Sequence, residues 1–256
     1  MIKRNSVSII IPCYNEEANL QKGVLDKVGN FVEENPQIKE VIIVDDGSED
    51  KTAQIIKSQY LPKFKKFKYV KIPHQGKASA VITGIQKAKS EFVLFTDMDL
   101  ATPIEESKKL IQAIKEGWHI AIGSRDKKRK GAPITRKIMA IGFILIRNFL
   151  LNLGKIKDTQ CGFKAFKRET ALKIISHMKV FHPKTKRKTK GASVTAGFDL
   201  EFLFVAKLLG YKIKEIPVEW RHVETRNVNV FKDTIETLRD ILKIKWYQIR
   251  NQYKHD

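Results

Sequence analysis

Cysteines and long apolar runs are scarce in this sequence. Its 256 residues include only two cysteines, Cys13 and Cys161, which are too few for a disulfide scaffold. The apolar run at 7–12 is too short for the core of a signal peptide. No run approaches the roughly 20 apolar residues that an ordinary transmembrane helix needs. We therefore expect a protein that is made and kept in the cytoplasm.

Acidic residues are also few relative to basic ones. The chain has 28 aspartates and glutamates against 49 lysines and arginines, which gives a formal net charge of +21 and an isoelectric point near 9.8. This excess indicates an anionic partner, and composition alone leaves open a nucleic acid, a membrane surface or a phosphorylated ligand. Hydrophobic residues make up 42% of the chain, enough for a sizeable core, which excludes global disorder.

The glycine-rich loops that commonly cradle phosphates are missing as well. Neither G-x-G-x-x-G nor G-x-x-x-x-G-K-[ST] occurs in the chain. A nucleotide bound by this protein therefore needs another means of neutralising its diphosphate.

What the chain does contain is an alternation of short β-branched runs and amphipathic stretches. The runs at 40–46 and 91–97 are continuously apolar, as strands buried on both faces require. This alternation predicts βαβ units and a mostly parallel sheet flanked by helices. We predict strands at 7–12, 40–46, 68–73, 91–97, 119–124 and 211–220, helices at 16–34, 50–60, 77–88, 103–116 and 197–210, and an amphipathic tail at 230–252.

Carboxylates follow two of these predicted strands. Ligands of open parallel sheets bind beyond the carboxyl ends of the strands. The D-x-D pair Asp97 and Asp99 can point both carboxylates into one site, where hard oxygen ligands suit Mg²⁺ or Mn²⁺. Asp45 and Asp46 end another strand, and we expect one of them to bind a base or ribose. The alternative is that these aspartates have only a structural role, as helix caps or in a tight turn.

Several motifs occur along the chain in a characteristic order. They are SIIIPCYNEE (8–17), IIVDDGSEDKT (42–52), GKASAVITGIQKA (76–88), FTDMDLATP (95–103), GSRD (123–126), DTQCGFKAFKRE (158–169) and GFDLEFLFVAKLLGYKIKEIPVEW (197–220). In order and spacing these motifs resemble glycosyltransferase family 2. The chain is similar to the family's polyprenyl-phosphate branch, above all to its dolichyl-phosphate β-glucosyltransferases, with the mannose synthases as the alternative. Ala101 and Cys161 favour the glucosyl side.

The resemblance implies an α/β fold of the GT-A (Rossmann-like) type that forms one catalytic domain over 1–256. Residues 1–126 would bind the nucleotide sugar, and 127–256 would form a helical elaboration that faces the acceptor and the membrane. The implied reaction moves a hexose, expected to be glucose from UDP-glucose, to a polyprenyl phosphate with inversion. The residues implied at the nucleotide sugar are Pro12, Tyr14, Glu16, Asp45, Asp46, Lys77, Asp97, Met98, Asp99 and Arg125, with Asp97 and Asp99 also holding the metal.

A second set of residues is expected at the acceptor. A polyprenyl phosphate is largely ionised at neutral pH, so it needs cations more than a general base. Candidates are Lys164, Arg168 and Arg226, although relatives often carry Gly-Ser-Lys where this chain has Thr225-Arg226-Asn227. Asp199 joins Asp97 and Asp99 as a candidate catalytic residue, with an orienting role and a helix cap as the alternative.

Contact with an anionic membrane surface is expected from the basic residues. Segment 134–154 could lie in the membrane interface or, equally, be a core helix. Clusters at 63–71, 127–137 and 184–190 are expected on the acceptor side. These features predict peripheral association with the inner face of the membrane.

Three other functions compete with this interpretation. The first is a transferase of the same fold that acts on a polysaccharide or another soluble acceptor. The second is a nucleic-acid-binding module, suggested by the interleaved aromatic and basic residues at 63–71. Carboxylates at the predicted site would repel a polyanion, so no nucleic acid is expected. The third is a nucleotidyltransferase, which would release pyrophosphate instead of a nucleoside diphosphate.

Overall fold

Seven strands, contributed by both halves of the chain, pair into one sheet. The computed structural model describes residues 5–125, 146–154, 156–183, 185, 196–221, 223 and 230–253. The strands are β1 (Val7–Cys13), β2 (Ile38–Asp45), β3 (Phe67–Lys71), β4 (Phe92–Thr96), β5 (Ile120–Arg125), β6 (Phe163–Lys167) and β7 (Ile213–Val218). Their order in the sheet is β3-β2-β1-β4-β6-β5-β7.

Most strand pairs are parallel, as the alternating pattern predicts. β1 lies between β2 and β4, β3 extends the sheet beyond β2, and β7 pairs with β5. All residues of β1 and β4 are buried, because helices cover both faces of the sheet. β6 is antiparallel to both of its neighbours. The predicted α/β fold with a mostly parallel sheet is therefore confirmed, and β6 is the strand that the sequence pattern missed.

Helices cover the two faces of the sheet. Predicted helix 16–34 is interrupted at Gly23, whose φ of 70° ends one helix before the next begins. The helices are α1 (Glu17–Gln21), α2 (Val24–Glu34), α3 (Thr52–Ile55), which continues through a π-helical turn (Ile56–Tyr60) into α4 (Leu61–Lys63), α5 (Lys77–Lys87), a 3₁₀ turn (Ile104–Glu106), α6 (Ser107–Lys115), α7 (146–151), α8 (Arg168–His177), α9 (Ala196–Leu208) and α10 (Val230–Ile249).

The hydrophobic core has two layers, one on each face of the sheet. Alternate residues of β1 serve both: Ile10 packs in the layer with α5, α8, α9 and α10, and Ile9 and Ile11 pack in the layer with α2 and α6. Burying both faces leaves the ends of the strands as the place where polar side chains can gather.

Several predictions fall partly or wholly outside the described residues. Most of segment 134–154, the cluster at 127–137 and nearly all of the cluster at 184–190 are in this group. Within the residues that the structure describes, no helix combines the length and apolar character needed to cross a lipid bilayer.

Candidate active site

A polar cleft opens at the carboxyl ends of β4 and β5. Its volume is about 160 Å³. The segment after β4 forms one wall and the segment before β6 forms another, while Arg125 closes the end at β5. The lining residues are Thr96, Asp97, Asp99, Ala101, Thr102, Arg125, Gln160, Cys161, Gly162, Trp220 and Val223. The cleft therefore lies where open α/β sheets bind ligands.

Asp97 lies between the first turn of α5 and the segment before β6. Its Oδ1 forms an ion pair with Lys77 Nζ, and both side chains are about one-third exposed. Burial alone would lower the pKa of Lys77, but Asp97 and Asp199 raise it above its ordinary value. On the other side, a Cβ added to Gly162 would lie 2.0 Å from Asp97 Oδ2, so only glycine leaves room for this carboxylate.

Asp99 reaches the same cleft through a tight turn. Leu100 has a φ of 46°, a left-handed conformation that is uncommon for a branched side chain. The turn lets Asp99 Oδ1 accept a hydrogen bond from the Ala101 amide at 3.0 Å. Two of the four predicted carboxylates are thus brought together in one cleft.

Arg125 is held by a residue that the sequence interpretation did not single out. Its Nε and Nη2 donate to the two carboxylate oxygens of Asp158 at 2.7 and 2.8 Å, a bidentate pair. Burial would raise the pKa of Asp158, but Arg125 holds it below its ordinary value. The guanidinium also lies 5.9 Å from the Trp220 ring. Arg125 is therefore fixed at the rim of the cleft by Asp158.

Lys164 and Asp199 form a buried ion pair beside this cleft. Lys164 Nζ donates to Asp199 Oδ1 at 2.7 Å and to the Cys161 carbonyl at 2.6 Å, and its side chain is 1% exposed. Burial raises the pKa of Asp199, and Lys164 and Lys77 oppose that rise. Lys164, which was predicted to bind the acceptor phosphate, therefore has its ammonium buried and bonded within the protein.

The carboxylates after β2 are occupied by the chain itself. Asp45 accepts hydrogen bonds from the Ser48 amide and the Tyr69 hydroxyl. Asp46 accepts from the Gln75 and Gly76 amides at 2.8 Å and contacts the His74 ring. Both aspartates are at most 2% exposed. This arrangement ties the turn after β2 to the segment that leads into α5, and it differs from the direct base or ribose contact predicted for one of the two aspartates.

The other residues predicted at the nucleotide lie at the end of β1 or in the core. Tyr14 stacks on His74, with ring centroids 4.2 Å apart and planes at 17°. Glu16 accepts a hydrogen bond from the Asn19 amide group at 2.6 Å. Pro12 is buried in β1, and Met98 is buried in the core at 2% exposure.

The structure separates Arg168 from the cleft, which corrects its predicted acceptor contact. β6 runs antiparallel to β4, so Phe163 pairs with Thr96 near the cleft while Lys167 pairs with Phe92 at the opposite edge. Arg168 follows Lys167 and donates its amide to Glu91. Arg226 lies outside the described residues.

The basic cluster at 63–71 extends from one edge of the sheet to the other. Its first residues precede β3 at the edge where the parallel strands begin, opposite the cleft, and Lys71 pairs in the sheet with Asp45 at the carboxyl-end edge. Lys63 pairs with Asp26, and Lys68 pairs with Glu40.

Three residues near the site, Gly162, Asp158 and His74, were missed. The first two lie inside the DTQCGFK motif, so its resemblance to the family was the available signal for them. Their roles depend on contacts across strands that no local spacing reveals.

The mostly parallel sheet, with its cleft at the carboxyl ends of the strands, is an α/β fold of the GT-A type. The chain belongs to glycosyl transferase family 2, whose sequence model matches residues 8–175.

Curated relatives match over almost the whole chain. A dolichyl-phosphate beta-glucosyltransferase of Trichomonas vaginalis is 32% identical over 251 residues, covering 93% of this chain and 72% of the relative. The protein of that name from Saccharomyces cerevisiae is 29% identical and covers 97% and 76%. The human one is 30% identical and covers 93% and 74%.

Solved structures support the fold. Glucosyl-3-phosphoglycerate synthase from Mycobacterium tuberculosis, in complex with Mn²⁺, uridine diphosphate and glucosyl-3-phosphoglycerate, superposes with a TM-score of 0.64. The match covers 94% of this chain and 80% of that chain at 17% identity. A complex of the same synthase with Mg²⁺ and uridine diphosphate gives 0.65.

Proposed function

We propose that this enzyme transfers glucose from UDP-glucose to dolichyl phosphate or another polyprenyl phosphate, with inversion at the anomeric carbon. The observation that carries the proposal is the single cleft that holds Asp97, Asp99 and Arg125 together. The names of the relatives support glucose as the sugar and a polyprenyl phosphate as the acceptor. The uridine diphosphate in the structural neighbours supports the donor.

The cleft suits a divalent ion that is shared with the donor. Among the described residues, no group of three or more His, Cys, Asp or Glu side chains could hold a metal by itself. Two carboxylates are the usual protein contribution to a Mg²⁺ or Mn²⁺ that also binds substrate phosphates and water. The absence of a side chain at Gly162 lets the Asp97 carboxylate occupy this position in the cleft. Bound there, the ion would act as a Lewis acid on the leaving diphosphate.

Side chains around the cleft can offset the remaining negative charge. We assign Arg125 to the donor diphosphate, and Lys77 to the charge balance around Asp97. The stacked pair Tyr14 and His74 is suited to the uracil end, with Pro12 and Glu16 beside it. Asp45 and Asp46 act by fixing the turns that frame this pocket, and Met98 by packing beneath the D-x-D turn.

Attack by the acceptor phosphate does not require a strong general base. The acceptor phosphate, with a second pKa of about 6, is largely dianionic at neutral pH. One of its oxygens forms the bond to the anomeric carbon, while the bond to the diphosphate oxygen breaks and the nucleoside diphosphate leaves with the electron pair. The chain's contribution is to position two anions and reduce their repulsion. We propose that Lys164 contributes to this positioning indirectly, because its ammonium holds the Asp199 carboxylate in place.

A donor and acceptor screen tests the proposal. Purified enzyme is incubated with radiolabelled UDP-glucose, GDP-mannose or UDP-N-acetylglucosamine and a short polyprenyl phosphate, with Mn²⁺, Mg²⁺ or EDTA. We expect transfer from UDP-glucose, lost in EDTA and restored by either ion. Transfer to a soluble hydroxyl acceptor but not to polyprenyl phosphate would overturn the acceptor, and preferred use of GDP-mannose would overturn the donor. Release of pyrophosphate would indicate a nucleotidyltransferase.

A further inference from the structure

α10 has two apolar faces on opposite sides of the helix. One face packs on the core, where Ile241 and Ile244 are fully buried. On this face Asp240 lies so close to Gly197 of α9 that a Cβ added to the glycine would be 2.3 Å from Asp240 Oδ2. A surface helix of a globular protein needs only this one apolar stripe. A second stripe on the far side is therefore not explained by folding.

The second stripe is exposed and continuous. Its members are separated by seven, four and three residues, so at 3.6 residues per turn they share one face opposite the buried one. Between 41% and 70% of each side chain is exposed, and they run over about 21 Å of helix at 1.5 Å per residue. These residues, which we call the α10 outer stripe, are Ile235, Leu242, Trp246 and Ile249.

Cations border the α10 outer stripe. Arg239, Lys243 and Arg250 are exposed along one side, and Lys245 lies along the other. The Arg250 guanidinium lies 4.0 Å from the centre of the Trp246 ring. Lysine and arginine beside an apolar stripe can lay their stems on acyl chains while their charges reach headgroups. Tryptophan prefers the same boundary between apolar and polar surroundings.

The charge decides between possible occupants. A second copy of this chain would bring the same cations against one another, and its net charge is +21. An anionic lipid surface instead attracts the four cations that border the stripe and accepts the apolar side chains between them. The stripe is also a convex helix face, which a flat bilayer interface accepts over its full length.

We propose that the α10 outer stripe docks on the surface of an anionic lipid bilayer, with α10 lying in the interface. The buried face of the helix stays on the core, so docking needs no unfolding. The inference extends the proposed function, because a lipid phosphate is presented at a bilayer. It locates membrane contact on α10, apart from segment 134–154 and the basic clusters.

Flotation with vesicles tests the docking surface. Wild-type enzyme is compared with Leu242→Glu, Ile249→Glu and the matched control Leu208→Glu, which changes an exposed leucine of α9. Vesicles contain phosphatidylcholine with phosphatidylserine, or phosphatidylcholine alone. We expect each α10 variant to bind the anionic vesicles about tenfold more weakly, and Leu208→Glu to stay within about twofold of wild type. Tryptophan quenching by brominated lipid should disappear in Trp246→Phe.

Separate readouts distinguish this inference from the proposed function. Transfer to a short, water-soluble polyprenyl phosphate should be unchanged in Leu242→Glu, and circular dichroism should match wild type. Equal vesicle binding by Leu242→Glu and Leu208→Glu would overturn the docking surface and leave the transferase proposal intact. A dimer in light scattering that Leu242→Glu dissociates would show that the stripe binds a second copy. If the wild-type enzyme transfers no glucose to the short, water-soluble polyprenyl phosphate, that result counts against the proposed function alone.

Discussion

Two pairs of carboxylates follow two buried parallel strands, and the protein uses them in opposite ways. Asp45 and Asp46 end β2 and are almost fully buried, with donors from the chain on their oxygens. Asp97 and Asp99 follow β4 and line an open cleft, and the Asp97 side chain is 38% exposed. In the sequence both pairs appear as aspartates after an apolar run.

The difference lies in how many donors the surrounding backbone supplies. Asp46 meets two amides at the entrance to α5, so its desolvation is compensated within the protein. In the second pair, Asp99 is bonded to the amide of Ala101 and Asp97 is paired with a partly exposed lysine. Carboxylates whose bonding capacity is taken up by the fold stabilise loops, and those facing a cleft are available to ligands.

The largest effect is expected from removing a charge of the open pair. Asp99→Asn keeps an oxygen for the Ala101 amide but removes a negative charge from the cleft. We expect kcat for glucosyl transfer to fall about a thousandfold, because charge stabilisation at the diphosphate supplies several kcal/mol. The thermal unfolding temperature should not change. Full turnover in the folded variant would contradict the role of this carboxylate.

The matching change in the buried pair should act on stability. Asp46→Ala leaves the Gln75 and Gly76 amides without their acceptor. We expect the free energy of unfolding in urea to fall by about 3 kcal/mol. Glu49→Ala, which removes an exposed carboxylate from the same turn, is the control. If both variants lose the same stability, the hydrogen bonds of Asp46 are not what holds this loop.

A glycine beside the open pair offers a geometric test. In Gly162→Ala the new methyl group would displace the Asp97 carboxylate. We expect kcat/KM to fall about thirtyfold and the Mn²⁺ concentration for half-maximal rate to rise, because small misplacements at a reacting centre are costly. Gly84→Ala, which crowds Ile10 in the core, should lower stability without changing the Mn²⁺ dependence. Equal Mn²⁺ dependence in both variants would contradict a role for Gly162 in shaping the site.

The parallel part of the fold could be predicted because each strand carries its own signal. The continuous apolar runs of β1, β2 and β4 require burial on both faces, and this indicates a parallel sheet. β6 could not be predicted this way, since its sequence FKAFK contains two lysines and is not a continuous apolar run. Burial of Lys164 there is possible only because Asp199 arrives from α9, which is distant in sequence.

The candidate site was predicted in location but not in the use of each residue. The position of Asp97 and Asp99 follows from the end of their strand, and that of Arg125 from the resemblance to the family; all three line the same cleft. The sequence could not show that Asp46 is occupied by amides of the β3–α5 segment, because that depends on the path of a loop. Likewise, the distance of Arg168 from the cleft follows only from the direction of β6.

The smallest effect is expected at Asp158, which lies close to the cleft but is occupied like the buried pair. Asp158→Asn should lower the free energy of unfolding by about 1–2 kcal/mol at neutral pH, because the Arg125 guanidinium loses its charged partner. The pKa of Asp158 is lower in the folded protein than its ordinary value of about 3.9, so its contribution is complete above that value. It is lost as the pH falls through the lower folded value. The difference between wild type and variant in urea unfolding should therefore be constant near neutrality and shrink in strong acid. If the difference persists unchanged in acid, the Asp158 side chain stabilises the protein by its packing and not by its charge. Asp158 would then not be comparable with Asp46, whose carboxylate is compensated by donors of the chain.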